Sequence, residues 1–247
     1  MNRTLWTFGD SFVEGLLKDL DNDTRNSPEE RQEICFGNQL FKNCDIFSHH
    51  YNFGASGAGN EQIAYTVTKM LKRFSAGDFV FIAFSGPLRT ATYSFQKDEY
   101  ERVVDNTPPY IQHLSARRSP IWQADLSIVY LSEQLDRAGV KYLFTNSFEP
   151  TSVYSTLQYE QLYRFNYFKP EYIDNTLFDI LLGKFLQTKT DRLDYMRVDP
   201  REDRINLNKF HNVNGNKFIS KCNHPTPEGH KLIADTYLPI ILNEYER

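Results

Sequence analysis

Long apolar runs are missing from this chain of 247 residues. Its longest candidates, Phe79 to Phe84 and Leu238 to Leu242, fall far short of the ~20 residues a membrane helix needs. Membrane contact is therefore not expected. The first residues, Met1-Asn2-Arg3-Thr4, lead straight into Leu5-Trp6-Thr7-Phe8 with no signal-type apolar segment, so the expected location is cytoplasmic. Positive charge is not in excess: 28 Lys and Arg face 32 Asp and Glu, a net charge of −4. That balance gives no electrostatic footprint for duplex nucleic acid. Cysteine is scarce. Cys35, Cys44 and Cys222 are too few and too scattered for a disulfide framework or a four-ligand zinc site. Repeats and low-complexity tracts are also absent. What remains is a chain 40% hydrophobic and 24% charged, the composition of a globular protein, long enough for one large domain or two small ones.

The apolar pattern alternates between strand and helix. Leu5 to Phe8 is a short buried strand that stops at Gly9-Asp10-Ser11. Residues 32–43 place Ile34, Leu40 and Phe41 at helical spacing. Tyr51-Asn52-Phe53 is a second strand, followed by the small-residue loop Gly54 to Gly59. A helix is expected from about Asn60 to Phe74, with Ile63, Val67, Met70 and Leu71 on one face. Phe79 to Phe84 is apolar on both faces, as a central parallel strand must be. Residues 123–138 read as a helix, Lys141 to Thr145 as a strand, and Pro227 to Leu242 as a last helix with Leu232, Ile233, Tyr237 and Ile241 inward. This succession implies an α/β chain, a mostly parallel sheet with helices on both faces. Ligands of such sheets sit beyond the carboxyl ends of the strands. Two stretches break the alternation, about 90–120 and about 150–220, and both are expected as insertions over that edge. The second is rich in Tyr and Phe over 154–178, which suggests a packed cap whose rings could also line a pocket.

Chemistry gathers at the strand ends. Ser11 follows a buried strand directly, with Gly9 allowing a sharp turn, so its hydroxyl is aimed at the ligand crevice. A neutral hydroxyl is a weak nucleophile and needs a base. His224 lies just ahead of the last helix, in His224-Pro225-Thr226-Pro227, and Pro227 suits a helix start. The histidine is either that base or a residue of the helix entry. Backbone N–H groups of Ser11 and Gly54 are candidates to hold a developing oxyanion.

These blocks resemble the SGNH (GDSL) hydrolases. The resemblance rests on Phe8-Gly9-Asp10-Ser11, on Asn52-Phe53-Gly54-Ala55-Ser56-Gly57, and on His224-Pro225 with Gly229-His230, in that order. It implies a three-layer α/β/α sandwich around a five-stranded, flavodoxin-like parallel sheet. It also implies a single domain over 1–247 and ester hydrolysis through an acyl-serine, with no metal or cofactor. By resemblance Ser11 is the nucleophile, His224 the base and Gly54 an oxyanion donor. Two positions depart from the family. Its third block reads Gly-x-Asn-Asp, and this chain has Ala83-Phe84-Ser85-Gly86, with Ser85 where the oxyanion Asn belongs. The following Pro87-Leu88-Arg89 resembles a divergent branch met in bacteriophage genomes, and virion association would follow for a viral protein. The family's acid, three residues before the histidine, is here Lys221. A backbone carbonyl, Glu149 or Asp199 would then have to orient His224.

Each residue also has a plainer role. Asp10 is expected to bond the turn's backbone. Ser85 is either a strand-end cap or an oxyanion donor, with Arg89 as a possible charge nearby. Asn60 either caps the helix that begins there or braces the site. His230 is expected to be packed inside the helix or at the surface. Cys222 is a thiol beside His224, a weaker candidate nucleophile than Ser11. Asp19, Asp21, Asp23 and Glu30 have calcium-loop spacing, but Thr24 stands where the loop needs glycine, so a solvated acidic loop is the better reading. Arg117-Arg118 is read as a solvated pair. The expected partner is a small-molecule or carbohydrate ester. Acyl transfer to another alcohol, or a decayed module that only binds, are the alternatives.

Overall fold

The computed structural model describes residues 2–19, 24–86, 91–94, 99–102, 120–147, 172–182, 217–220 and 224–246. In chain order these form β1 (Thr4–Gly9), α1 (Ser11–Glu14), β2 (Lys18–Asp19), β3 (Thr24–Arg25), α2 (Pro28–Ile34), α3 (Phe36–Lys42), β4 (His49–Gly54) and α4 (Asn60–Met70). Then come β5 (Phe79–Phe84), β6 (Ala91–Ser94), β7 (Glu99–Arg102), α5 (Pro120–Ala138), β8 (Lys141–Asn146), β9 (Tyr172–Thr176), α6 (Leu177–Leu182) and α7 (Pro227–Glu246).

The main sheet runs β4-β1-β5-β8-β9, the doubly wound order in which the chain reverses direction across the sheet beside β1. β4, β1, β5 and β8 pair in parallel through continuous registers, from Thr4 opposite His49 to Gly9 opposite Gly54, and from Phe79 opposite Lys141 to Phe84 opposite Asn146. β9 joins the edge of β8 only at Phe144/Tyr172 and Asn146/Thr176, with a break in register between them. The implied five-stranded sheet is therefore regular over four strands. β9 ends in a turn of its own. Thr176 Oγ1 accepts the Asp179 N–H and Asp179 Oδ2 accepts the Thr176 N–H, so the strand's last residue caps α6.

Side chains alternate across the sheet with the period of a strand. Leu5, Phe79, Phe81, Ala83 and Leu143 face one layer, with Phe36 and Leu40 of α3 and Ile233 and Tyr237 of α7. Trp6, Phe8, Val80, Ile82 and Phe84 face the other, with Ile63 and Val67 of α4 and Leu131 and Leu135 of α5. All six residues of β5 are buried, as its two-sided apolar pattern requires.

Several boundaries differ from the sequence reading. The helix expected over 32–43 is two helices. A Ser27–Glu30 capping box and Pro28 start α2 early, and Cys35 is extended between α2 and α3, buried with Phe36. Glu30 thus spends its carboxylate on the Ser27 N–H, and residues 20–23 of the acidic loop lie outside the described residues. The α-helix from Asn60 stops at Met70 and finishes as a 3-10 turn over Leu71–Arg73. Leu232 is half-buried, and Ala234 takes a core position instead. Part of the stretch expected as a cap belongs to the core: Leu177, Phe178 and Leu181 are buried in the layer with α7. Of the earlier insertion, β6 and β7 form an antiparallel hairpin. The aromatic run before 172 and the Arg117-Arg118 pair lie outside the described residues.

The amino ends of the strands are gathered by one buried carboxylate. Asp78 accepts the Thr4 N–H at 2.9 Å, the Trp6 indole N–H at 3.0 Å and the Ser75 N–H at 3.0 Å. Three donors lose their acceptor if it is removed, and each unpaired buried group costs about 1–3 kcal/mol. Asp78→Ala is therefore expected to destabilise the fold by at least about 3 kcal/mol in chemical denaturation. A change below about 1 kcal/mol would contradict this role.

Candidate active site

The site begins with two paired glycines. Gly9 and Gly54 are opposite each other at the carboxyl ends of β1 and β4. A Cβ on Gly54 would lie 2.3 Å from the Glu14 backbone nitrogen, and one on Gly9 would lie 2.3 Å from Val13 Cγ2. Only without those carbons can α1 fold back against the strand ends. Asp10 caps α1: its Oδ1 accepts the Phe12 N–H at 3.0 Å and its backbone carbonyl accepts the Val13 and Glu14 N–H groups. Ser11 is the first helical residue, 4% exposed, with its hydroxyl beyond the end of β1.

His224 reaches it from the far end of the chain. Nε2 of His224 lies 2.9 Å from Ser11 Oγ. A small hairpin holds the histidine. Ser220 donates its N–H and its hydroxyl to the His224 carbonyl, each at 2.8 Å, and Ser220 Oγ accepts the His224 N–H at 3.2 Å. Ile219 bridges to Pro225, and the Thr226 N–H donates to the Phe218 carbonyl. Thr226 Oγ1 then accepts the Gly229 N–H, starting α7 with Pro227 as its first residue. Phe12 packs against the imidazole at 5.9 Å between ring centres, and Phe178 meets Phe12 edge-on at 6.4 Å. One side of the Ser11–His224 pair is therefore an apolar wall.

The donors of Gly54 and Ser85 are engaged elsewhere, and of its two expected roles Asn60 takes the bracing one. The Gly54 N–H donates to Asn52 Oδ1 at 3.0 Å, so it is committed within its own strand end. Ser85 is fully buried and its hydroxyl donates to Asp10 Oδ2 at 3.1 Å, so its single proton is already placed. Asn60 is not the cap of α4; Gly59 is, and Asn60 is the first helical residue. Asn60 instead clamps the Ser85 backbone: Oδ1 accepts its N–H at 2.8 Å and Nδ2 donates to its carbonyl at 3.2 Å. Asp10, Ser85 and Asn60 thus form one buried chain that ties α1, the end of β5 and the start of α4 beneath Ser11.

Two contributors escaped the sequence reading. Asn52 joins three elements, accepting from Thr7 Oγ1 and Gly54 N–H and donating to the Val13 carbonyl. Gly57 follows in the same loop with φ of 79°, and among the described hydrogen bonds its N–H has no acceptor. Both stood in the quoted Asn52 to Gly57 block, where the second glycine was the missed signal. Arg89, Glu149, Asp199, Lys221 and Cys222 lie outside the described residues.

Burial also sets two other histidines, one of them in the first turns of α7. His50 is pushed down to about 4 by burial, with Nε2 3.0 Å from Thr7 Oγ1. His230 is fully buried and pushed down to about 3 by burial, with a smaller contribution from His224. Cys35 is pushed up to about 11 by burial, which makes it a poor nucleophile. No group of three His, Cys, Asp or Glu side chains among the described residues could hold a metal ion. No helix among them is long and apolar enough to cross a membrane.

Solved structures share the fold that carries this arrangement. A carbohydrate acetylesterase family member from Sinorhizobium meliloti aligns over 97% of this chain and 97% of its own, at 12% identity and a TM-score of 0.50. The fold is that of the SGNH (GDSL) hydrolases. A member of the lipolytic G-D-S-L family from Veillonella parvula DSM 2008 aligns over 96% of this chain and 97% of its own, at 12% identity and a TM-score of 0.48. No protein-family model and no curated protein matches the sequence. In the SGNH frame, Ser11 stands at the carboxyl edge beside the point where the strand order reverses, the expected ligand position of this sheet.

Because the Ser85 hydroxyl is spent on Asp10, Ser85→Ala is expected to lower stability by about 1–3 kcal/mol, the scale of one deleted hydrogen bond to a buried charged group. Its effect on the rate of ester hydrolysis should stay below about tenfold. A loss of the ~10²–10³ typical of a deleted oxyanion donor would contradict this assignment.

Proposed function

We propose that this chain is a serine ester hydrolase that removes a small acyl group, such as acetyl, from a carbohydrate alcohol. The observation that carries the reading is the 2.9 Å contact between Ser11 Oγ and His224 Nε2 at the carboxyl edge of the sheet. In this mechanism Ser11 Oγ attacks the ester carbonyl carbon as His224 Nε2 takes its proton. The tetrahedral oxyanion collapses, the C–O bond to the alcohol breaks, and His224 returns the proton to the leaving oxygen. Water then attacks the acyl-Ser11 ester, again losing its proton to His224, and the carboxylic acid leaves as Ser11 recovers its proton.

The oxyanion needs N–H donors fixed before the reaction. The first-turn amides of α1 point away from the helix, and those of Phe12, Val13 and Glu14 already have acceptors. That leaves the Ser11 N–H as the first-turn amide with no acceptor among the described hydrogen bonds. The wall of Phe12 and Phe178 favours a small apolar acyl group over a charged one. The named activity of the Sinorhizobium meliloti structure supports a carbohydrate ester as the class of substrate. Transfer of the acyl group to a second alcohol would use the same two residues, and product analysis with and without an added sugar acceptor separates it from hydrolysis.

The test is hydrolysis of p-nitrophenyl acetate, with fluorophosphonate labelling, by wild type and Ser11→Ala. Both signals should be present in the wild type and fall by at least about 10³-fold in the variant, as for other serine nucleophiles. A folded wild type giving neither signal, or a variant retaining both, would contradict the reading and favour a module that only binds.

A further inference from the structure

His230 lies in the first turns of α7 with no exposed surface. Neither of its ring nitrogens has a hydrogen-bond partner among the described residues. Burying a polar group unpaired is unfavourable, and replacing it with an apolar group of the same shape is neutral or stabilising. An apolar ring would therefore serve this position better if packing were its whole purpose. A second orphan lies nearby in the fold. Ser147, just past β8, is fully buried and its Oγ also has no partner among the described residues.

The register of α7 over the sheet puts both at the site's end. Tyr237 OH donates to Thr145 Oγ1 at 3.1 Å, which fixes that helix position over β8. His230 is seven residues earlier, two turns and about 10 Å toward the start of the helix. Ser147 is two residues further along the strand path, about 7 Å on and nominally on the same face. Far from this end, Tyr245 OH donates to the Gly77 carbonyl at the amino ends of the strands, so the helix runs antiparallel to β8. His230 and Ser147 thus converge on the carboxyl edge, behind the hairpin that carries His224. The His230 N–H donates to the Thr226 carbonyl at 2.8 Å, which couples its helix turn directly to that hairpin.

We infer that His230 is a positioning residue for His224, a neutral buried imidazole that, with the Ser147 hydroxyl, supplies orientable dipoles behind the ring that accepts the Ser11 proton. When His224 becomes a cation, uncommitted dipoles in a water-poor layer turn toward it and lower the energy of the charged state. Burial keeps His230 itself uncharged, so it does not repel that cation. The inference rests on the proposed role of His224 as base. It accounts for a polar side chain kept where it weakens the core, a trade of stability for function.

The test uses His230→Phe, His230→Gln and Ser147→Ala, with thermal melting, steady-state kinetics on p-nitrophenyl acetate, and nitrogen-15 NMR of the His224 ring at neutral pH. His230→Phe should melt at or above the wild-type temperature, lose about tenfold or more in kcat with KM within about twofold, and shift the His224 ring nitrogens. His230→Gln, which keeps a polar edge, should recover part of kcat. An unchanged kcat and unchanged His224 signals in a folded His230→Phe would overturn the inference. A lowered melting temperature with no recovery in His230→Gln would overturn it too, by showing a packing role. If His230→Phe does not fold, Ser147→Ala and His230→Gln decide, and unchanged His224 signals in both would refute it. The NMR readout does not need turnover, so an inactive wild type would count against the proposed hydrolysis and leave the effect on the His224 ring still measured.

Discussion

The contact between Ser11 and His224 joins residues 213 positions apart in sequence, and the fold supplies the means at both ends. On the serine side, the means is close backbone approach. Gly9 and Gly54 sit opposite each other, and the carbons they lack are the ones that would strike Val13 and the Glu14 backbone. α1 therefore rests on the strand ends, and its first residue faces the crevice. On the histidine side, the Ser220–His224 hydrogen bonds and the Ile219/Pro225 bridge close a hairpin before α7 begins. α7 then lies across the sheet, with Ile233 and Tyr237 in the core, so the hairpin's position is set by apolar burial along the whole helix.

Beneath the pair, polar groups are spent on holding backbone in place. Of Asp10, Ser85 and Asn60, only Ser85 stood where oxyanion chemistry was expected, and each bonds another member of the chain or a backbone group. Satisfied buried networks of this kind rigidify what lies above them. His230 and Ser147 are the contrasting case, buried with ring nitrogens and hydroxyl uncommitted among the described residues. The first group fixes the nucleophile's geometry. The second, on our inference, leaves dipoles free to answer a change of charge.

Much of this was legible in the sequence because its signals are local. The two-sided apolar run Phe79–Phe84, the small-residue loop after Phe53 and the Pro227 helix start each carry their structure within a few residues. Ser11 and His224 were readable as a pair only through the order of three blocks, since nothing in spacing brings position 11 to position 224. What could not be read was the use of each donor. Gly54 looked like an oxyanion amide, but its N–H is claimed by Asn52 two residues away, a side-chain choice invisible to pattern. The split at Cys35 was hidden because apolar spacing continues across it while the backbone does not. Residues 172–182 read as cap because they continue the aromatic run that starts at Tyr154, which matches a lid as well as a core, and only burial against α7 separates the two.

The central claim is that Ser11 is made nucleophilic by His224. Mapping the fluorophosphonate adduct by mass spectrometry, in wild type and in His224→Ala, tests it most directly. The account predicts a single adduct on the peptide that holds Ser11, formed at least about 10²-fold more slowly without His224, the scale of general-base assistance. An adduct on another residue, or one on Ser11 that forms at the same rate in both proteins, would contradict it.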